Sequence, residues 1–121
     1  MRTLRQNRIF TDITKHKQDE AKIQSLAHYD QLTGLANQVL FKERLSQALK
    51  QSRRKPSQIA VFFLDLDGFK SINDTHGGLL GDEILKETAN RLLSCVRETD
   101  TVARAGGDEF LIVLSNTTGR R

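Results

Sequence analysis

Residues 104–110 read Arg-Ala-Gly-Gly-Asp-Glu-Phe, and this run limits the possible fold more than any other part of the chain. Two adjacent glycines favour a tight reversal, since backbone of positive φ is open to them without a side-chain clash. Asp108 and Glu109 sit at the exit of that reversal, and the apolar run Phe110-Leu111-Ile112-Val113-Leu114 follows. Residues 101–105 before it can also be extended. The segment therefore reads as a β-hairpin with acids at its tip. A second apolar run, Ile-Ala-Val-Phe-Phe-Leu over residues 59–64, ends in Asp65-Leu66-Asp67. Such an uninterrupted run suggests a strand covered on both faces, and so a central one.

The segments between these strands carry helical periodicity. Asn37 is placed to cap a helix reaching about residue 52, with Phe41, Leu45, Ala48 and Leu49 on one face. Residues 53–57, including the only proline, Pro56, end it. Residues 73–81, rich in glycine and small turn formers, read as a polar loop. A further amphipathic helix is expected over residues 82–96, with Leu85, Ala89, Leu92 and Val96 inward. Helix, strand, helix and hairpin in that order imply an α+β fold, a mixed and mainly antiparallel sheet with helices packed on it. Residues 15–28 are charged and helix-prone, with Ile23, Leu26 and Ala27 as apolar positions, and read as a linker helix. Residues 8–11 are a short extended candidate.

Composition excludes several classes. The chain has 121 residues, enough for one modest domain or a domain fragment with a leader. Its hydrophobic content of 37% is low, with the shortfall concentrated in the N-terminal third, so the remainder can still form a core. No apolar run approaches the roughly 20 residues of a membrane span, and the basic N-terminus lacks the apolar stretch of a secretory signal. The single Cys95 cannot form an internal disulfide, so a reducing, cytoplasmic compartment is expected. The net charge of +4 gathers in residues 2–22 and in Lys50, Arg53, Arg54 and Lys55. These clusters read as solvated helix faces. No aromatic residues are interleaved with them, so a nucleic-acid partner is not expected.

The chemistry should lie where the two acid clusters meet. Side chains alternate along a strand, so Asp65 and Asp67 share a face if the strand continues. A carboxylate ending an apolar strand needs a partner, water or a cation. Mg²⁺, or Mn²⁺ in its place, takes one or two carboxylates together with waters and substrate phosphates. Asp65 and Asp108 on neighbouring strands would supply that pair. Each acid taken singly also has a plainer role: Asp65 or Asp67 as cap of the next helix, Asp108 as a turn former. The backbone amides of Gly68, Phe69 and Lys70, with the lysine itself, can cradle phosphates. Asn73 and Asp82 flank the glycine-rich stretch as either turn and cap residues or readers of a purine edge.

These residues together resemble the GGDEF family of diguanylate cyclases. The resemblance rests on Asp30-x-Leu32-Thr33-Gly34-Leu35-x-Asn37, on Asp65-x-Asp67-x-Phe69-Lys70-x-Ile72-Asn73-Asp74, on Gly81-Asp82 and on Gly106-Gly107-Asp108-Glu109-Phe110, in the family's order. It implies a fold related to the polymerase palm and to nucleotide cyclases. It also implies a reaction joining two GTP into cyclic di-GMP with release of pyrophosphate, run by a homodimer in which each subunit supplies one nucleotide. By position, Asp65, the Leu66 carbonyl and Asp108 resemble the metal ligands. Asp108 holds the position of a general base, Glu109 is the second acid of the signature, and Lys70 would stabilise transition-state charge. Gly68, Phe69 and Lys70 resemble the phosphate cradle, and Asn73 and Asp82 the guanine-reading pair. Arg97-Glu98-Thr99-Asp100 matches the family's RxxD motif, in which Arg97 and Asp100 would bind the cyclic di-GMP product as an inhibitor. A non-catalytic receptor for that dinucleotide is the alternative function.

The chain departs from the family pattern at Gln38, His76 and Gly78. Family members continue past the hairpin through further strands and a triphosphate-binding helix, so the expected domain is incomplete at its C-terminus, with exposed strand edges and weak or no turnover. The expected organisation is the tail of a PAS-type domain over residues 1–14, a signalling helix over 15–29 and a partial GGDEF domain over 30–121.

Overall fold

The computed structural model describes residues 19–23 and 25–115. The extended candidate at residues 8–11 and the proposed PAS-type tail lie outside them. Residues 19–23 and 25–28 are helical (α1). They are followed by α2 (Gln38–Arg54), β1 (Ala60–Asp65), α3 (Phe69–His76), α4 (Gly78–Ser94), β2 (Thr101–Gly106) and β3 (Glu109–Leu114). The strands form one antiparallel sheet in the order β1-β3-β2. Among the described residues no helix is long and apolar enough to cross a membrane.

Strand alternation divides the core into two layers. Val102, Phe110 and Ile112 face Leu85 and Ala89 of α4. Their neighbours Ala103 and Val113 face the opposite way, toward Phe41 of α2. A period-two pattern across the hairpin thus dictates a helix on each face. Phe110 is completely buried, and burial of such a side chain stabilises the fold by about 1.5–3 kcal/mol.

Asn37 starts α2 as expected. Its Oδ1 accepts from Leu40 N at 3.0 Å, while its Nδ2 donates to the Ala27 carbonyl at 2.9 Å. One side chain therefore caps α2, worth about 1 kcal/mol, and ties it to the end of α1.

Two expectations are corrected. Among the described residues β1 is an edge strand and not a central one: there it pairs with β3 alone and packs against no helix. Its Val61, Phe62, Phe63 and Leu64 are correspondingly exposed. The expected loop over residues 73–81 is helical apart from Gly77, which separates α3 from α4. Glycine lowers helix propensity by about 1 kcal/mol per residue, so the local signal at Gly77, Gly78 and Gly81 argued for a loop. Packing of α3 against α4 overrides it.

Candidate functional site

The hairpin reverses through Gly107 and Asp108, between the paired residues Gly106 and Glu109. Gly107 adopts φ 50°, the left-handed backbone a two-residue reversal requires. β1 runs alongside, with Asp65 directly opposite Glu109. The ladder extends one step further, where Leu66 N donates to the Asp108 carbonyl at 3.3 Å. Asp65, Leu66, Asp108 and Glu109 therefore converge at one end of the sheet.

The acids there repel one another. The Asp65 carboxyl is held above the ordinary aspartate range, first by a hydrogen bond with Asp108, then by partial loss of solvent, then by the charges of Asp108, Glu109 and Asp67. Among the described residues no group of three or more His, Cys, Asp or Glu side chains is placed to hold a metal ion. The donors at the tip are instead two adjacent carboxylates and the neighbouring Leu66 carbonyl, all hard oxygens. Such a set suits Mg²⁺, which completes its octahedron with water and phosphate oxygens.

The residues after β1 lie on α3. Gly68 is its N-cap and makes no side-chain capping bond, so neither Asp65 nor Asp67 acts as the cap. Phe69 and Lys70 form the first turn. Phe69 N is directed at the Leu66 carbonyl at 3.4 Å, a contact that leaves that carbonyl a second lone pair. Asn73 follows on α3. Asp82 lies in the body of α4, whose N-cap is Gly77, so a capping role for Asp82 is ruled out by its position. Asn73 Oδ1 is buried without a hydrogen-bond partner among the described residues.

A brace behind the tip escaped sequence reasoning. Arg104 on β2 donates through Nε to the Gly107 carbonyl at 2.9 Å and through Nη1 to Asp30 Oδ1 at 3.0 Å. Asp30 Oδ2 also accepts from Thr33 N and Thr33 Oγ1 at 2.9 and 2.7 Å. Partial burial alone would raise the Asp30 pKa, but the Thr33 hydrogen bonds and the Arg104 charge outweigh it and hold the carboxyl below its ordinary value. The backbone joins in as well, with Arg104 N donating to the Ala36 carbonyl at 3.0 Å. The segment after α1 thus grips the turn that carries Asp108. The only available signal was the lone arginine before the glycines, since nothing local links it to Asp30.

Arg97 and Asp100 lie at the other end of the hairpin. Strands of six residues at about 3.3 Å each put them roughly 20 Å from the tip. The Asp100 side chain is fully buried. Its Oδ2 accepts from Arg97 N at 2.8 Å and its Oδ1 from Ser115 N at 3.2 Å. It shapes the turn rather than facing solvent. Arg97 is half exposed, donates from Nη2 to the Ser115 carbonyl at 2.8 Å, and lines an open cleft of about 440 Å³ with Arg44, Gln47, Gln51 and Thr101.

A family model described as diguanylate cyclase, GGDEF domain, matches residues 27–121. The chain belongs to this GGDEF-domain family. It is 49% identical over 89 residues to the bifunctional diguanylate cyclase/cyclic di-GMP phosphodiesterase MucR of Pseudomonas aeruginosa, a match covering 74% of this chain and 13% of that protein. The solved GGDEF domain of TpbB from Pseudomonas aeruginosa superimposes with a TM-score of 0.71 at 46% identity, over 74% of this chain and 52% of that one. The coiled coil and GGDEF domain of DgcB from Caulobacter crescentus, solved in complex with c-di-GMP, gives a TM-score of 0.83 at 26% identity, over 93% of this chain and 59% of that one. The chain therefore spans about half the length of these solved domains and a small part of MucR.

Proposed function

We propose that the hairpin tip is one GTP half-site of a diguanylate cyclase, which condenses two GTP into cyclic di-GMP and releases pyrophosphate. The observation that carries the reading is the meeting of Asp65 and Asp108 at one end of the sheet, where Asp65 pairs with Glu109 and Leu66 N donates to the Asp108 carbonyl at 3.3 Å. Mg²⁺ or Mn²⁺, when bound, would neutralise these acids and the triphosphate together. Asp65, Asp108 and the Leu66 carbonyl would hold it. Asp108 accepts the proton of the attacking ribose 3′-hydroxyl, with Glu109 beside it. The first-turn amides of α3 orient the phosphates, and Lys70 offsets charge that develops on them. This division suits phosphoryl transfer, where positioning and charge stabilisation dominate.

One chain presents one such half-site, so condensation calls for a second copy facing it. Exposed Ile23 and Leu26 on α1 offer apolar contacts for that pairing. Thermal melts of the chain with Mg²⁺ and GTP test the proposal, alongside chromatography for cyclic di-GMP. The expected result is a Tm rise with Mg·GTP that Asp65→Asn abolishes, with little product formed. An equal rise in wild type and Asp65→Asn would overturn the assignment of the tip.

The cleft beside Arg97 supports a second reading, in which the chain binds cyclic di-GMP at the base of the hairpin. Arg97 and Arg44 supply charge for its phosphates, and Asp100 positions Arg97 from beneath. Titration with the dinucleotide should show binding that Arg97→Ala weakens and Asp65→Asn leaves intact; equal affinity in Arg97→Ala would exclude it.

A further inference from the structure

We infer that Gly81 is a specificity-determining position, whose missing side chain fixes the Asn73 carboxamide in the orientation that distinguishes guanine from adenine. This deepens the nucleotide-binding reading above and rests on it. A Cβ built on Gly81 would lie 2.2 Å from Asn73 Oδ1, 3.1 Å from its Cγ and 3.2 Å from Phe69 Cζ. The amide oxygen therefore occupies the space a side chain at residue 81 would need. It is also buried, with no hydrogen-bond donor among the described residues. Its neighbour is the Gly81 Cα–H, a weak donor that suits an oxygen and not an amide nitrogen.

The consequence follows from covalent geometry. With the oxygen docked on Gly81, the Nδ2 arm is directed away from it, so the side chain offers a donor. Asp82, next in sequence on the same helix, offers an acceptor. Guanine presents adjacent N1–H and N2–H₂ donors beside the O6 acceptor. Adenine presents the N1 acceptor beside the N6 donor, the reverse order. With the Asn73 donor set opposite position 6 and the Asp82 acceptor opposite position 1, the pair matches guanine and mismatches adenine. An amide free to rotate would exchange its arms and lose the distinction.

The atom that blocks a Cβ is the end of a movable side chain, so Gly81→Ala can be relieved by turning Asn73 while the helices stay packed. The damage should then fall on recognition. The test is titration of the full chain with Mg·GTP and Mg·ATP, run with thermal melts, for wild type, Gly81→Ala, Asn73→Ala and the double variant. Wild type should prefer GTP. Gly81→Ala should lose about tenfold in GTP affinity with ATP affinity and Tm nearly unchanged. The double variant should be no worse than Asn73→Ala, because both changes remove the same contact. Unchanged GTP affinity in Gly81→Ala, or losses that add in the double variant, would overturn the role of Gly81. A wild type that fails to prefer GTP over ATP would overturn the purine reading itself, and with it this inference. If Gly81→Ala alone unfolds the chain, the double variant, which lacks the obstructing oxygen, must refold; persistent unfolding would count against the proposal.

Discussion

The two ends of the β2–β3 hairpin treat their carboxylates in opposite ways. At the base, Asp100 is buried and both its oxygens accept backbone N–H groups. At the tip, Asp65, Asp108 and Glu109 stand close together and their like charges repel. The base spends an acid on holding the chain together. The tip instead gathers acids of like charge. Carboxylates whose bonds are completed within the protein are structural, and carboxylates left in mutual repulsion are open to a cation, as the proposed site requires. Asp30, bonded to Thr33 and Arg104, belongs with the base in chemistry although it braces the tip.

The sharpest way to break this contrast is Asp100→Ala. It strips acceptors from two backbone N–H groups around a buried site, and should cost about 2–4 kcal/mol, measured by urea unfolding. A loss no larger than that of a surface substitution would refute a structural role. Arg104→Met comes next. It removes the Asp30 ion pair and the bond to Gly107, leaving Asp30 partly buried without its cation, for a loss of about 2 kcal/mol. It should also blunt the Tm response to Mg·GTP, since the turn bearing Asp108 is no longer held.

Asp65→Asn should behave in the reverse sense. Without divalent cation its Tm should equal or exceed that of wild type, because a repelling charge is gone. With Mg²⁺ it should lose the rise that wild type shows. A clear loss of stability in Asp65→Asn without metal would place the tip with the base.

The smallest effects are in pH dependence, and their signs differ. Asp30 titrates below its ordinary value of 3.8 in the folded chain. Its contribution is present above that value and is lost as pH falls through the lowered folded pKa. Asp65 titrates above 3.8 when folded, so the folded state binds more protons there and stability falls as pH rises from 3.8 through the raised value. Urea melts between pH 3 and 6 should show Asp30→Asn with a flatter acid limb and Asp65→Asn with a higher plateau. Identical profiles for the two variants would mean that the environments of these acids do not differ.

Much of this was legible because the signals are local. The Asn37 cap, the face of α2 carrying Phe41, and the reversal at Gly107 each depend on residues a few positions apart. The meeting of Asp65 and Asp108 was legible for a related reason. Each acid lies at the end of an apolar strand, and antiparallel pairing brings such ends together. What misled was propensity at Gly77, Gly78 and Gly81, where contact between α3 and α4 settles the conformation. The apolar run of β1 misled in another way, since its composition reads the same whether or not anything covers it. The burial of Asp100 had no signature at all, and the grip of Asp30 on Arg104 had none beyond a lone arginine before the glycines.

By itself, the order of residues determined where the strands and most helices form, which acids share the sheet's end, and the family to which the chain belongs. These follow from periodicity, capping and turn chemistry, which act over a few residues. Only the tertiary structure decided that β1 stands at an edge, that Asp100 turns inward while Asp65 stays exposed, and that Asn73 rests on Gly81. Each of those depends on which distant atoms come within a few ångströms, and packing sets that distance after the local elements have formed.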